Sequence, residues 1–110
     1  MQTHQTVYFN HFGISHGEPY YCEICERHAT GGIHHIEARG MGSKQTTKAG
    51  EDINGIENLM ALCDDEHKEF GDKEQYLDYL KKIHKLRLQI YATQKIRPGE
   101  KACISISDLL

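Results

Sequence analysis

Side chains that bind metal ions occur in three groups between Cys22 and His67, and they restrict the fold more than any other feature of the sequence. The first group is the pair Cys22-Glu-Ile-Cys25, and the second is His34-His35. The third is the segment 58–67, Asn-Leu-Met-Ala-Leu-Cys-Asp-Asp-Glu-His. A Cys-x-x-Cys pair followed by further Cys and His residues is typical of a metal site. The sequence therefore predicts a chain that folds around a metal ion.

The length and composition fit this interpretation. A single domain of 110 residues buries only about two-thirds of the surface of its unfolded chain, so a bound ion would add to a small stability margin. No stretch approaches the roughly 20 apolar residues that a membrane span requires, so no membrane association is expected. The first ten residues contain neither a basic cluster nor an apolar segment. We therefore expect no secretory signal and a cytoplasmic location.

The chain contains four Cys and eight His residues. In a reducing compartment the cysteines are expected to be metal ligands or free thiols rather than disulfides, and Cys103 is expected to be a packed thiol. Histidine is the commonest neutral metal ligand, but not every copy needs a function. Ordinary surface positions are expected for His4, His11, His16 and His84.

The pattern of apolar and turn residues predicts an α+β domain. Residues 1–18 have no clear period and are interpreted as an N-terminal extension. The segment 20–25 fits a strand or a metal knuckle, 33–38 fits a short strand, and the Gly-rich segment 39–50 fits a loop. Alternating Ile and Ser residues at 104–107 indicate a further short strand in the tail.

Two helices are predicted after these strands. Three consecutive acidic residues begin the first helix, Asp64–Phe70, which Gly71 ends. Asp72 and Gln75 resemble a capping box that opens a second, amphipathic helix, and this helix ends before Pro98. Its apolar face is formed by Tyr76, Leu80, Ile83, Arg87 and Ile90.

The order and spacing of the three groups resemble the HNH endonuclease family. The resemblance covers residues 19–71 and implies a ββα-metal (His-Me finger) core, with residues 72–110 forming a C-terminal amphipathic helix and tail. It implies that His35 is the general base and that His34 and His67 bind one divalent ion. The family Asn, which fixes the loop and orients the base, corresponds to Asn58.

The implied reaction is hydrolysis of DNA phosphodiester bonds to a 5′-phosphate and a 3′-hydroxyl. Histidine suits the base because its pKa lies near neutral pH, and a divalent ion (Mg, Mn, Ni or Zn) would stabilise the developing charge. Arg39 lies four residues after His35. It is a candidate contact to a phosphate, or else a solvated loop residue. Adjacent side chains on a strand point to opposite faces, so His34 and His35 can have different roles.

A second, structural zinc is expected at Cys22, Cys25 and Cys63. Zinc-containing members of the family have a fourth Cys where this chain has Glu66. A structural zinc takes four ligands, so the fourth is either Glu66 or His28, which lies three residues after Cys25. The loss of this zinc site is the remaining alternative.

DNA is the expected partner, although the formal net charge is −3. From Lys81 to Arg97 the chain contains only basic charges, and such a segregated stretch can bind phosphates even in an acidic protein. The candidate DNA contacts are Lys81, Lys82, Lys85 and Arg87. The alternative is an ordinary solvated helix face.

Two other functions compete with the nuclease. The first is a zinc-dependent adaptor or inhibitor that keeps the nuclease fold and binds nucleic acid or protein. The second is a purely structural zinc protein, which leaves His35 and Asn58 unexplained. Nucleases of this type and size resemble those encoded by bacteriophages, so a phage protein in the host cytoplasm is expected, with a protein partner or a homodimer as further options.

Overall fold

The chain folds as a small α+β domain in a computed structural model, which describes residues 4–15, 17–37, 46–47, 50, 52–71 and 73–99. In chain order the described elements are helix α1 (His4–Phe12), strand β1 (Ile33–His35), strand β2 (Leu59–Ala61), helix α2 (Asp64–Phe70) and helix α3 (Leu77–Gln94). Short 3-10 turns precede β2 and α3, at Ile56–Asn58 and Glu74–Tyr76. The predicted α+β class is therefore confirmed. The predicted loop contact Arg39, the capping residue Asp72, His16 and the tail with Cys103 lie outside the described residues.

β1 and β2 form a two-stranded antiparallel sheet. The paired residues are Ile33 with Ala61, His34 with Met60, and His35 with Leu59. The strand predicted for 33–38 ends at His35, although the amide of Ile36 still donates to the backbone carbonyl of Asn58 at 2.8 Å. The amide of Glu37 donates to Asn58 Oδ1 at 2.8 Å, in place of a backbone partner.

The sheet is covered on both faces, since alternate residues of β2 belong to different clusters of buried side chains. Met60 and Leu62 pack with α3 and with the segment around Cys22. Leu59 and Ala61 pack with Tyr8 and Phe12 of α1. Side chains alternate across a strand, so a strand buried on both faces has a continuous apolar sequence, as Leu59–Leu62 does.

α2 has the bounds that the sequence predicts, Asp64–Phe70. Its first turn contains three acidic residues, whose negative charges interact favourably with the positive end of the helix dipole. Gly71 ends the helix through close approach rather than through a left-handed conformation, because its φ is −68°. A side-chain Cβ at this position would collide with the carbonyl oxygen of His67.

α3 confirms the predicted amphipathic helix and ends before Pro98, with Lys95 in a left-handed cap at φ 58°. Its buried residues are Leu80, Ile83, His84, Arg87 and Ile90. The expectation that His84 lies on the surface is wrong, since only 1% of the residue is exposed. No helix among the described residues is long and apolar enough to cross a bilayer.

α1 lies in the segment that was interpreted as an extension without clear periodicity. Its buried residues Tyr8 and Phe12 are one helical turn apart, with ring centroids 4.8 Å from each other. The Phe12 ring also packs against Tyr91 of α3 at 5.1 Å. The helix therefore covers one face of the sheet with aromatic side chains.

Candidate active site and metal centre

His34 and His67 bring their rings together between β1 and α2. His34 pairs with Met60 and lies on the same face of the sheet as that residue. The ring centroids of His34 and His67 are 5.0 Å apart, and the ring planes make an angle of 82°. Two imidazoles at this separation fit the coordination of one divalent ion. Among the described residues, no third His, Cys, Asp or Glu joins this pair at ligand spacing. The pair could therefore supply two protein ligands to such an ion.

His35 points to the opposite side of the sheet, as expected for the neighbour of His34 on a strand. Its Nε2 lies 2.8 Å from Oδ1 of Asn54. Its ring centroid is 4.8 Å from that of His4, on α1. Its ring is therefore held by a neighbour on each of two sides. His35 is only half-buried, so part of it is also open to solvent.

Asn58 is buried and fixes the backbone on both sides of the loop that joins the two strands. Its Oδ1 accepts from the amide of Glu37, and its Nδ2 donates to the carbonyls of Glu37 and Ile53 at 3.2 and 2.8 Å. These contacts tie the backbone at Glu37 to the backbone at Ile53. The side chain that forms a hydrogen bond with the His35 ring belongs to Asn54 instead.

The three cysteines Cys22, Cys25 and Cys63 form a candidate metal site. Their Sγ atoms all lie within 4.8 Å of one another, and those of Cys25 and Cys63 are 3.4 Å apart. Cys22 and Cys25 lie in a tight knuckle, closed by a hydrogen bond from the Cys22 amide to the Arg27 carbonyl at 2.7 Å. Such a group of soft thiol ligands could hold a thiophilic ion such as Zn²⁺.

The surroundings of the thiols affect their ionisation differently. Burial raises the pKa of Cys22 to about 12. Burial also acts to raise the pKa of Cys25, but hydrogen bonds from the backbone and side chain of Arg27 and from the other two thiols outweigh it and lower that pKa. Arg27 Nε lies 3.4 Å from Cys25 Sγ, and its guanidinium reaches Cys63 Sγ at 4.0 Å. The site thus provides a positive charge beside two of its sulphur atoms.

Neither candidate for the fourth ligand joins the cysteines. Glu66 and His28 are both outside the group of ligand atoms that lie within 4.8 Å of one another. The ring of His28 packs on Tyr21 at 5.1 Å, and the two residues form an isolated β-bridge. Arg27 lies beside the thiols instead and pairs with Asp65 at 3.5 Å.

A buried polar network next to the cysteines was not expected from the sequence. Glu23, between the two knuckle cysteines, is fully buried. Its Oε2 accepts from the hydroxyl of Tyr8 at 2.6 Å and from the amide of Ala61 at 3.3 Å, and its Oε1 lies 2.7 Å from Nδ1 of His84. The network therefore joins α1, β2 and α3 to the knuckle.

His84 is the basic member of this network. Its Nδ1 faces the Glu23 carboxylate, and its Nε2 lies 2.6 Å from the carbonyl oxygen of Ile56. With Glu23 ionised, both neighbours of the ring are acceptors, and only the imidazolium donates from both nitrogens. Burial acts to lower the pKa of His84, but the charge and hydrogen bond of Glu23, followed by the Ile56 carbonyl and the charge of Glu57, outweigh it and raise that pKa.

No family model, curated protein or solved structure matches this chain. The function is therefore inferred from the geometry of its own side chains.

The basic residues of α3 divide into two sets. Lys81, Lys82 and Lys85 are all exposed, but Lys81 also pairs with the buried carboxylate of Glu37 at 3.1 Å. Arg87 is buried, donates from Nε to the Glu23 carbonyl at 2.9 Å and pairs with Glu26 at 3.2 Å. Its assignment as a DNA contact is corrected, because its guanidinium ties α3 to the knuckle.

Proposed function

We propose that this protein is a metal-dependent endonuclease of the HNH type, which hydrolyses phosphodiester bonds of DNA. In this proposal β1, β2 and α2 form a ββα-metal core. The observation that carries it is the meeting of the His34 and His67 rings between β1 and α2, with His35 following His34 in β1 on the opposite face of the sheet. A purely structural histidine pair would not require a third, half-exposed histidine held by its own hydrogen bond.

The residues of the site would divide the chemistry between them. His34 and His67 would hold a divalent ion (Mg, Mn, Ni or Zn), which when bound supplies positive charge for the phosphate and the leaving 3′ oxygen. His35 would take the proton of the attacking water, a role that suits an imidazole near neutral pH. Asn58 would keep the β1–β2 loop in the conformation that presents His35. The expected products carry a 5′-phosphate and a 3′-hydroxyl.

The direct test is cleavage of supercoiled plasmid by the full chain with Mg²⁺, Mn²⁺, Ni²⁺ or Zn²⁺. We expect nicked or linear DNA with at least one of these ions and none in EDTA. A folded protein that leaves the plasmid intact with every ion contradicts the nuclease and favours the adaptor.

The proposal assigns a structural zinc to the three cysteines. Protein purified without added zinc is expected to contain about one zinc per chain, because three close thiols bind this ion strongly. Removing zinc should reduce the free energy of unfolding by about 2.7 kcal/mol when free zinc stands at roughly 100 times its dissociation constant. Metal analysis and thermal unfolding before and after chelation measure both effects.

The matched variants are Cys63→Ser and Cys103→Ser. The first removes a clustered thiol and should lower both the zinc content and the melting temperature, whereas the second should leave the zinc content unchanged. A wild-type protein without zinc, whose melting temperature does not change on chelation, rules out the site.

The proposal also predicts that the exposed lysines of α3 contact DNA phosphates. A double variant, Lys82→Ala with Lys85→Ala, should reduce the slope of log affinity against log salt concentration by about two, since each phosphate contact contributes about 0.9. Fluorescence anisotropy with a labelled duplex at several salt concentrations measures the slope. Lys73→Ala, an exposed lysine whose Nζ donates to the Glu69 carbonyl, is the control. An unchanged slope in the double variant would show that these lysines form an ordinary solvated surface and do not contact DNA.

A further inference from the structure

The loop that carries Asn54 is held in place from two directions. The amide of Asn54 donates to Oδ1 of Asp52 at 2.9 Å, and the amide of Gly55 donates to the Asp52 carbonyl at 2.9 Å. Nδ2 of Asn58 donates to the carbonyl of Ile53, directly before Asn54, at 2.8 Å. The turn conformation at 52–55 is therefore fixed independently of His35, and Asn54 meets that ring from a fixed position.

The contact between Asn54 and His35 has one consequence for the proton of the ring. An amide oxygen only accepts hydrogen bonds, so the nitrogen that faces Oδ1 of Asn54 must carry a proton. That nitrogen is Nε2 of His35, 2.8 Å away. A neutral imidazole has one N–H, so Nδ1 then carries the lone pair.

We infer that Asn54 is the positioning residue of His35: it keeps the ring proton on Nε2, so that Nδ1 is the nitrogen that accepts the proton of water. This inference rests on the proposed nuclease function for the role of Nδ1, but not for the hydrogen bond itself. It divides the role implied for the family Asn between two residues. Asn58 holds the loop, and Asn54 holds the imidazole.

The neighbour on the other side of the ring supports the same orientation. The His4 ring lies 4.8 Å from the His35 ring, at an angle of 49°. Rotation of His35 away from Asn54 would change this packing against α1 as well as break the hydrogen bond. A helix outside the region of family resemblance thus helps to hold the proposed base.

The test combines NMR of the histidine rings with cleavage kinetics in the full-length protein. At a pH where His35 is neutral, ¹⁵N–¹H spectra of the wild type are expected to show its ring proton on Nε2, protected from solvent exchange. Asn54→Ala should lose this protection, whereas Asn54→Asp, which keeps an acceptor oxygen in place, should retain it. In plasmid cleavage Asn54→Ala should reduce kcat by about 10–100-fold with little change in KM, and Asn54→Asp should recover much of the loss.

Two controls separate this effect from unfolding. Asn10→Ala, an exposed asparagine on α1, should change neither the spectrum nor the rate. The ring signals of the buried His84 should be the same in every variant and report an intact core.

The outcomes distinguish the inference from the proposed function. The wild type could show the protected Nε2 proton, with its loss only in Asn54→Ala, and yet cut no DNA. That result supports the hydrogen bond and contradicts the nuclease function. A ring proton on Nδ1 in the wild type overturns the inference. So does an Asn54→Ala protein that keeps the protected proton or cuts DNA as fast as the wild type.

Discussion

Replacing Glu23 with alanine is expected to reduce the free energy of unfolding by about 3–5 kcal/mol, because it leaves a buried cation without its partner. The imidazolium of His84 is 1% exposed and lies 2.7 Å from the lost carboxylate oxygen. The hydroxyl of Tyr8, also buried, loses its acceptor at the same time. Urea unfolding at a fixed zinc concentration measures the change.

The matched control is Glu74→Ala, which removes an exposed carboxylate before α3 and should change stability by at most about 0.5 kcal/mol. Glu23→Gln should have an intermediate effect, since the amide keeps an acceptor oxygen but not the charge. A Glu23→Ala protein as stable as the Glu74→Ala protein would show that the network does not hold the elements together.

Replacing His35 with alanine is expected to reduce DNA cleavage by about 10²–10⁴-fold, the usual effect of losing a general base. The fold should persist, because the half-buried ring makes its side-chain hydrogen bond to a loop residue. Metal binding should persist as well, because His34 and His67 are unchanged. Cleavage rates, circular dichroism and metal-binding titrations of the purified variant measure these three properties.

His11→Ala is the control for this experiment, since His11 is an exposed histidine on α1. It should cut DNA at the wild-type rate. If His35→Ala also cuts at that rate, His35 is not the base, and the nuclease proposal then has no proton acceptor among the residues assigned to it.

Local patterns in the sequence predicted the elements whose residues are close neighbours in the chain. The bounds of α2 follow from its acidic first turn and from Gly71, and the buried face of α3 follows from the spacing of Leu80 and Ile83. The same spacing predicts that His84, four residues after Leu80, is buried as well. A surface position was expected instead because histidine is a polar residue. Amphipathic position was the stronger signal here.

The contacts between distant residues could not be predicted in this way. Glu23 and His84 are 61 positions apart, and no period in the sequence relates them. Inside a Cys-x-x-Cys pair, Glu23 resembles a spacer. Asn54 and Asn58 both stand in a turn-rich segment, and only the fold determines which of them reaches His35.

The bond between Glu23 and His84 also determines where this chain can be divided or recombined. A fragment that ends at residue 71 would keep the three clustered cysteines and both histidines of the candidate ion site, but it would lose the cation that compensates Glu23. Its knuckle would then either bury an unpaired carboxylate or open to water. A transplant of residues 19–71 into another protein must therefore carry Tyr8 and His84 together with Glu23.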